Sequence, residues 1–100
     1  MRDIYHALVT HDFSKVSDRT LAETRDIYGD ASMGINFAMQ VIGNLLQELQ
    51  GDKEYSDQDA KRDLFLIGSV LRQFPRMSQA LDQNSSNAEF ELKKRKGAAK

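Results

Sequence analysis

Residues 32–81 read SMGINFAMQVIGNLLQELQGDKEYSDQDAKRDLFLIGSVLRQFPRMSQAL, and this stretch decides the fold. Its apolar residues recur every three or four positions in both halves, which is the period of an amphipathic helix and not of a strand. They are Ile35, Ala38, Ile42, Leu45 and Leu49 in the first half, and Ala60, Leu64, Ile67, Leu71 and Phe74 in the second. The two halves therefore predict two helices, each with a continuous apolar seam.

A short polar segment, residues 50–55, joins the two halves. Gly51 can end the first helix in a left-handed turn, and Ser56, with Asp59 three residues later, can cap the second helix. A connection of this length makes the two helices antiparallel neighbours. We therefore predict an all-α fold built on an antiparallel helical hairpin.

An additional helix is predicted before the hairpin. Ser17 can cap it, and Val16 and Leu21 stand at the positions of a hydrophobic staple. Gly29 predicts a break or kink between this helix and the hairpin, because Gly in a helix interior costs about 1 kcal/mol relative to Ala. Pro75 predicts a bend in the last long helix, because proline lacks the backbone donor and clashes with the preceding turn.

The C-terminal region differs in composition from the rest of the chain. Residues 84–87 read NSSN, which is typical of a polar linker, and a basic run follows at residues 93–96. We therefore predict a helical domain over residues 1–83 and a polar linker with a basic C-terminal tail over residues 84–100.

Charge separates these two regions. Residues 84–100 hold five basic and two acidic groups, for a net charge of +3, while residues 1–83 hold nine and thirteen, for −4. The candidates for contact with nucleic acid are Lys93, Lys94, Arg95 and Lys96. The alternative is a solvated, frayed chain end. Because an acidic body does not attract phosphate, direct nucleic-acid binding is not favoured.

The first long helix carries more apolar surface than a hairpin needs. Besides its seam it has Met33, Phe37, Met39, Val41 and Leu46. An apolar stripe this wide faces more than one neighbour, so we predict that dimerisation completes a small bundle. Glycines 34, 43 and 68 are expected where helices approach closely. The candidates for binding a partner protein are Phe37, Val41, Leu46, Phe65 and Arg72.

The composition limits the classes of function. Hydrophobic residues make up 40% and charged residues 29%, a globular and not a disordered balance. The sequence has no Cys, no apolar secretory segment and no stretch suited to span a bilayer, which favours a cytoplasmic protein. His6 and His11 are five residues apart without a framing carboxylate pattern, so no metal site, cofactor or catalytic site is predicted.

Two segments resemble a known family. Residues 25–37, RDIYGDASMGINF, and residues 59–69, DAKRDLFLIGS, are similar to the small derepression proteins (epsilon) of satellite prophages of enteric bacteria, and the likeness covers most of residues 1–92. The resemblance implies an antirepressor, which binds the immunity repressor of a helper prophage and relieves transcriptional repression. Two alternatives remain open: a self-assembling helical module with a DNA-associating tail, and a phage-encoded inhibitor of a host defence protein.

Overall fold

The protein folds into three helices and, over the part of the chain that is described, has no strand. A computed structural model describes residues 2–98, with α1 at Ile4–Leu8, α2 at Asp18–Gln50 and α3 at Asp57–Ala98. Met1, Ala99 and Lys100, which belong to the predicted domain and tail, lie outside the described residues. The predicted all-α class is confirmed.

Helices α2 and α3 form the predicted antiparallel hairpin. Side-chain contacts between them join Ser32 to Ser78, Arg25 to Glu89, and Asp18 to Arg95. The residue number on α3 rises as the number on α2 falls, so the helices run in opposite directions. We call the end at the loop of residues 51–56 the tip, and the end where α2 begins and α3 ends the base.

The helix ends follow local capping chemistry. The Ser17 hydroxyl accepts a hydrogen bond from the backbone N–H of Thr20, and the Ser56 hydroxyl accepts one from the backbone N–H of Asp59, so both predicted caps are confirmed. Gly51 ends α2 as predicted, but at φ −90° and ψ −2°, which is not the left-handed turn that we expected.

Both long helices continue through the positions where the sequence predicts interruptions. Gly29 lies inside α2 and faces α3, where a Cβ built on it would be 3.4 Å from the Ser85 hydroxyl. Pro75, where a bend is predicted, lies inside α3, and the helix continues beyond it to Ala98. The prediction of a break at Gly29 is wrong, because tertiary packing outweighs a local cost of about 1 kcal/mol.

The predicted polar linker is also helical. Residues 84–87 lie within α3, and Asn84 is completely buried. Its side-chain amide accepts from the backbone N–H of Thr10 and donates to the carbonyl of Leu8, while Asn87 donates to the carbonyl of Thr10. The linker prediction is wrong because these polar side chains serve a buried contact between distant segments.

That contact holds residues 2–16, which we call the N-terminal arm, against α3. The arm runs parallel to α3 from Arg76, which forms an ion pair of 2.7 Å with Asp3, to Arg95, which donates to the carbonyl of Phe13. The Arg76 guanidinium also lies 4.5 Å from the centre of the Tyr5 ring. The hydrogen bonds and charge of Arg76 lower the pKa of Asp3 to about 2.

The fully buried core is small and lies at the base. Phe13, Leu21 and Ala88 form its cluster, and the partly buried side chains packed against them are Val16, Tyr28 and Leu92; Ala80 is buried separately on α3. The arm, α2 and α3 each contribute, so the base has three layers where the tip has two helices. The base is therefore the part of the hairpin that the chain itself stabilises.

Truncation of the core at Leu21 tests this assignment. Leu21 has no exposed surface, so we expect Leu21→Ala to lower the free energy of unfolding by about 2–5 kcal/mol, measured by urea denaturation. Ile27→Ala on the same helix is the control: Ile27 is 65% exposed, and we expect a change within about 0.5 kcal/mol. Equal losses for the two variants would contradict the position of the core.

The ion pair between Asp3 and Arg76 predicts how the stability of the fold changes at acid pH. Because the pKa of Asp3 is lower in the folded chain than the ordinary value of about 3.9, the pair stabilises the fold above pH 4 and stops doing so as the pH falls towards 2. We expect Arg76→Gln to return the pKa of Asp3, measured by NMR titration, to about 4. The pKa of Asp12, which is lowered by hydrogen bonds from Ser14, is the internal control and should not move.

Candidate protein-binding surface

About half of the large apolar side chains between residues 33 and 74 are exposed to solvent. Phe65 is 77% exposed and Phe37 is 58% exposed, and no apolar side chain between residues 35 and 75 is completely buried. The other large apolar residues of α2 and α3 that are at least half exposed toward the tip are Met33, Val41, Leu45, Leu64, Leu66 and Leu71. The middle and tip of the hairpin therefore present an uncovered apolar surface.

This surface coincides with two segments that lack charge. Residues 31–47 of α2 and residues 64–71 of α3 contain no Asp, Glu, Lys or Arg. Charged residues make up about a quarter of an average chain. A helical segment without any charged residue is therefore typical of a helix that is buried on several sides. The absence of charge in these two segments indicates where the uncovered surface lies, which the periodicity of the apolar seams does not.

On α2 the uncovered residues form one ridge. Met33, Phe37, Val41 and Leu45 follow one another at intervals of four residues, so each lies about one turn above the last. We call these four residues the α2 stripe. Gly34 lies beside them, with no atom within 4 Å of the position that a Cβ would occupy. The stripe is therefore a bare ridge beside open space.

On α3 the uncovered residues combine apolar and charged chemistry. Leu64 and Leu71 are seven residues apart, as are Phe65 and Arg72, so they form two adjacent rows of two turns each. All four side chains are exposed. We call them the α3 patch. Charged residues of both signs precede the patch at positions 59 and 61–63, and Arg62 pairs with both of the carboxylates there.

An open depression of about 540 Å³ lies at the tip, between the ends of the two long helices. Leu46 and Leu49 of α2 line it together with Leu64 of the α3 patch. Beside it the Tyr55 hydroxyl donates a hydrogen bond of 2.6 Å to Asp63 Oδ2. This bond raises the pKa of Tyr55 and lowers the pKa of Asp63, because it favours the neutral phenol and the charged carboxylate.

The structure separates the residues predicted to bind a partner into two groups. Phe37 and Val41 belong to the α2 stripe, whereas Phe65 and Arg72 belong to the α3 patch. Leu46 is half-buried at the tip depression, next to Leu64. The candidates therefore lie on the two helices on which the periodicity placed them, and their role in binding stays a prediction.

Two expectations about packing are wrong. Leu45, Leu64 and Leu71, which the periodicity assigned to the seams, are each at least half exposed, because a wide apolar stripe turns only part of its circumference toward the neighbouring helix. Glycines 34, 43 and 68 were expected at close helix contacts, but no atom lies within 4 Å of a Cβ built at any of them. Gly29 faces the neighbouring helix instead.

The basic run at the C-terminus is part of α3, and its residues do not share one environment. Lys93, Lys94 and Lys96 are exposed. Arg95 is mostly buried, because it pairs with Asp18 at 2.7 Å and with Glu91 at 3.1 Å and donates to the carbonyls of Phe13 and Ser14. The hydrogen bond to Asp18 raises the pKa of Arg95. Arg95, predicted as one of the exposed basic residues of the tail, instead joins the arm and α2 to α3.

Other kinds of site are not found in the described residues. Within residues 2–98 no group of three or more His, Cys, Asp or Glu side chains is placed to hold a metal ion. None of the helices in the same range combines the length and the hydrophobicity needed to cross a lipid bilayer.

Comparisons of the chain with protein-family profiles, with curated proteins and with solved structures find no match. The uncovered apolar surface on α2 and α3 is therefore the main structural indication of function.

Proposed function

We propose that the protein is an antirepressor, which binds the immunity repressor of a prophage by direct protein–protein contact and relieves transcriptional repression. It would act in the cytoplasm of the bacterial host, where the repressor occupies its operator. The observation that carries the proposal is the exposed α3 patch, and the choice of a repressor as the partner rests on the resemblance of residues 25–37 and 59–69 to the derepression proteins of satellite prophages.

The chemistry of the α3 patch suits contact with a different protein. Interfaces between separately stable proteins are enriched in aromatic residues and Arg, and these residue types supply most of the binding energy at their centres. Phe65 and Arg72 bring both types to one side of α3, and Leu64 and Leu71 add an apolar row beside them.

Two ways of inactivating a repressor are open to such a protein. The net charge of −4 on residues 1–83 favours a contact with the basic face that grips the operator. The α3 patch favours a contact with the apolar interface through which a repressor dimerises. We favour the second, because three of the four side chains of the patch are apolar and each of these is at least half exposed.

Release of the helper-prophage repressor from a labelled operator fragment tests the proposal, with fluorescence anisotropy as the measurement. We expect the wild-type protein to return the anisotropy to that of free DNA, and Phe65→Asp to require at least about tenfold more protein, since it places a charge in the centre of an apolar contact. Release by the wild-type protein should change little between low and high salt.

Phe90→Asp is the matched control. Phe90 is on the same helix and is 70% exposed, but it lies at the base, away from the α3 patch. It should release the repressor as the wild type does. Full potency of a folded Phe65→Asp variant would contradict the role of the patch, and slow-migrating DNA complexes formed by the protein alone would favour a DNA-associating module.

A further inference from the structure

The α2 stripe has chemistry different from that of the α3 patch, and we infer that it seats a second copy of this chain. In the resulting homodimer the two α2 helices pack against each other across a twofold axis, with Phe37 and Val41 near the centre. The inference goes beyond the proposed function, which assigns only the α3 patch to a foreign protein.

The chain exposes more surface than a compact monomer of its mass, and a dimer interface would cover somewhat less than half of the excess. The chain has 7685 Å² of accessible surface, whereas a compact monomer of 11.4 kDa is expected to have about 5,800 Å². The difference is about 1,900 Å², and a stable interface of standard size covers about 800 Å² on each partner. One further copy therefore accounts for part of the excess.

The shape of the chain leads to the same conclusion. The radius of gyration is 18.8 Å, compared with about 13 Å for a compact domain of 100 residues. The molecule measures 66 × 27 × 15 Å, so along much of its length it is a single layer of two helices. A second hairpin laid on this layer supplies the missing second layer of a helical domain.

The absence of charged residues around the α2 stripe favours a second copy of this chain as its partner. Homodimer interfaces are more apolar than contacts between separately stable proteins, and a twofold axis brings the same patch from each copy together. Residues 31–47 meet this requirement, because a second copy presents an equally uncharged helix and leaves no buried charge without a partner. The α3 patch, with Arg72 at its edge, would bring two like charges close together instead.

The spacing of the stripe also fits its own copy. Met33, Phe37, Val41 and Leu45 form a ridge of the i, i+4 kind, and two such ridges interlock when helices cross at about −50°. The open space at Gly34 lets the partner helix approach closely. The crossing point then lies between Phe37 and Val41, at the middle of the stripe.

Sedimentation equilibrium tests the inference on the full chain. We expect the wild-type protein to have twice the mass of one chain, about 23 kDa, and Val41→Asp to have the mass of one chain with an unchanged helical circular dichroism spectrum. Phe65→Asp is the control and should remain a dimer. A wild-type protein that is a monomer up to about 100 µM overturns the inference, and if Val41→Asp then also fails to release the repressor, the stripe seats the repressor.

Disulfide trapping keeps the test decisive if Val41→Asp fails to fold. The sequence contains no Cys, so each single-Cys variant reports on one position only. Under mild oxidation Val41→Cys should form a covalent dimer at least about tenfold faster than Phe65→Cys or Phe90→Cys. Faster trapping through Phe65→Cys overturns the inference, because it places the second copy on the α3 patch.

Discussion

Two helices packed side by side can cover only the part of each circumference that faces the other. This geometric constraint governs the whole molecule. At the base a third layer, the N-terminal arm, lies on α3, and there Leu21 and Ala88 become completely buried. Toward the tip the residues that the structure describes form no third layer, and Leu45 and Leu64 stay exposed although they belong to regular apolar seams. The base is buried because three layers pack there, and the rest of the hairpin is exposed because it has two helices side by side.

Polar contacts hold this arrangement in one register. The Ser32 and Ser78 hydroxyls lie 3.0 Å apart at a buried position between the long helices, and Ser32 also donates to the carbonyl of Ser78. Asn84 and Arg95 attach the arm to α3 through backbone groups, so the arm cannot slide without leaving buried donors unpaired. The apolar side chains of the hairpin drive association, while these bonds specify its alignment. The uncovered surfaces are thereby presented on a defined scaffold.

Local sequence signals identified the hairpin but wrongly predicted a break at Gly29 and a linker at residues 84–87. The three-and-four periodicity and the caps at Ser17 and Ser56 predicted the helices correctly, because these features act within a few residues. Gly29 and residues 84–87 were misread, since their environment comes from chain segments more than 50 residues away. Exposure at Phe37 and Phe65 was predictable from the surplus of apolar residues, whereas exposure at Leu64 was not, because periodicity does not tell which sector of a wide stripe faces the neighbour. Arg95 was taken for a solvated cation because its partner Asp18 is distant in sequence.

The central claim is that another protein chain covers the middle of this hairpin. Amide hydrogen exchange of the wild-type protein, followed from micromolar to millimolar concentration, tests the claim most directly. Protection of residues 31–47 should rise with protein concentration, while protection around Leu21 at the base should stay constant. Equal protection of the two regions at every concentration would show that the chain stabilises its middle without a partner, and would contradict this account.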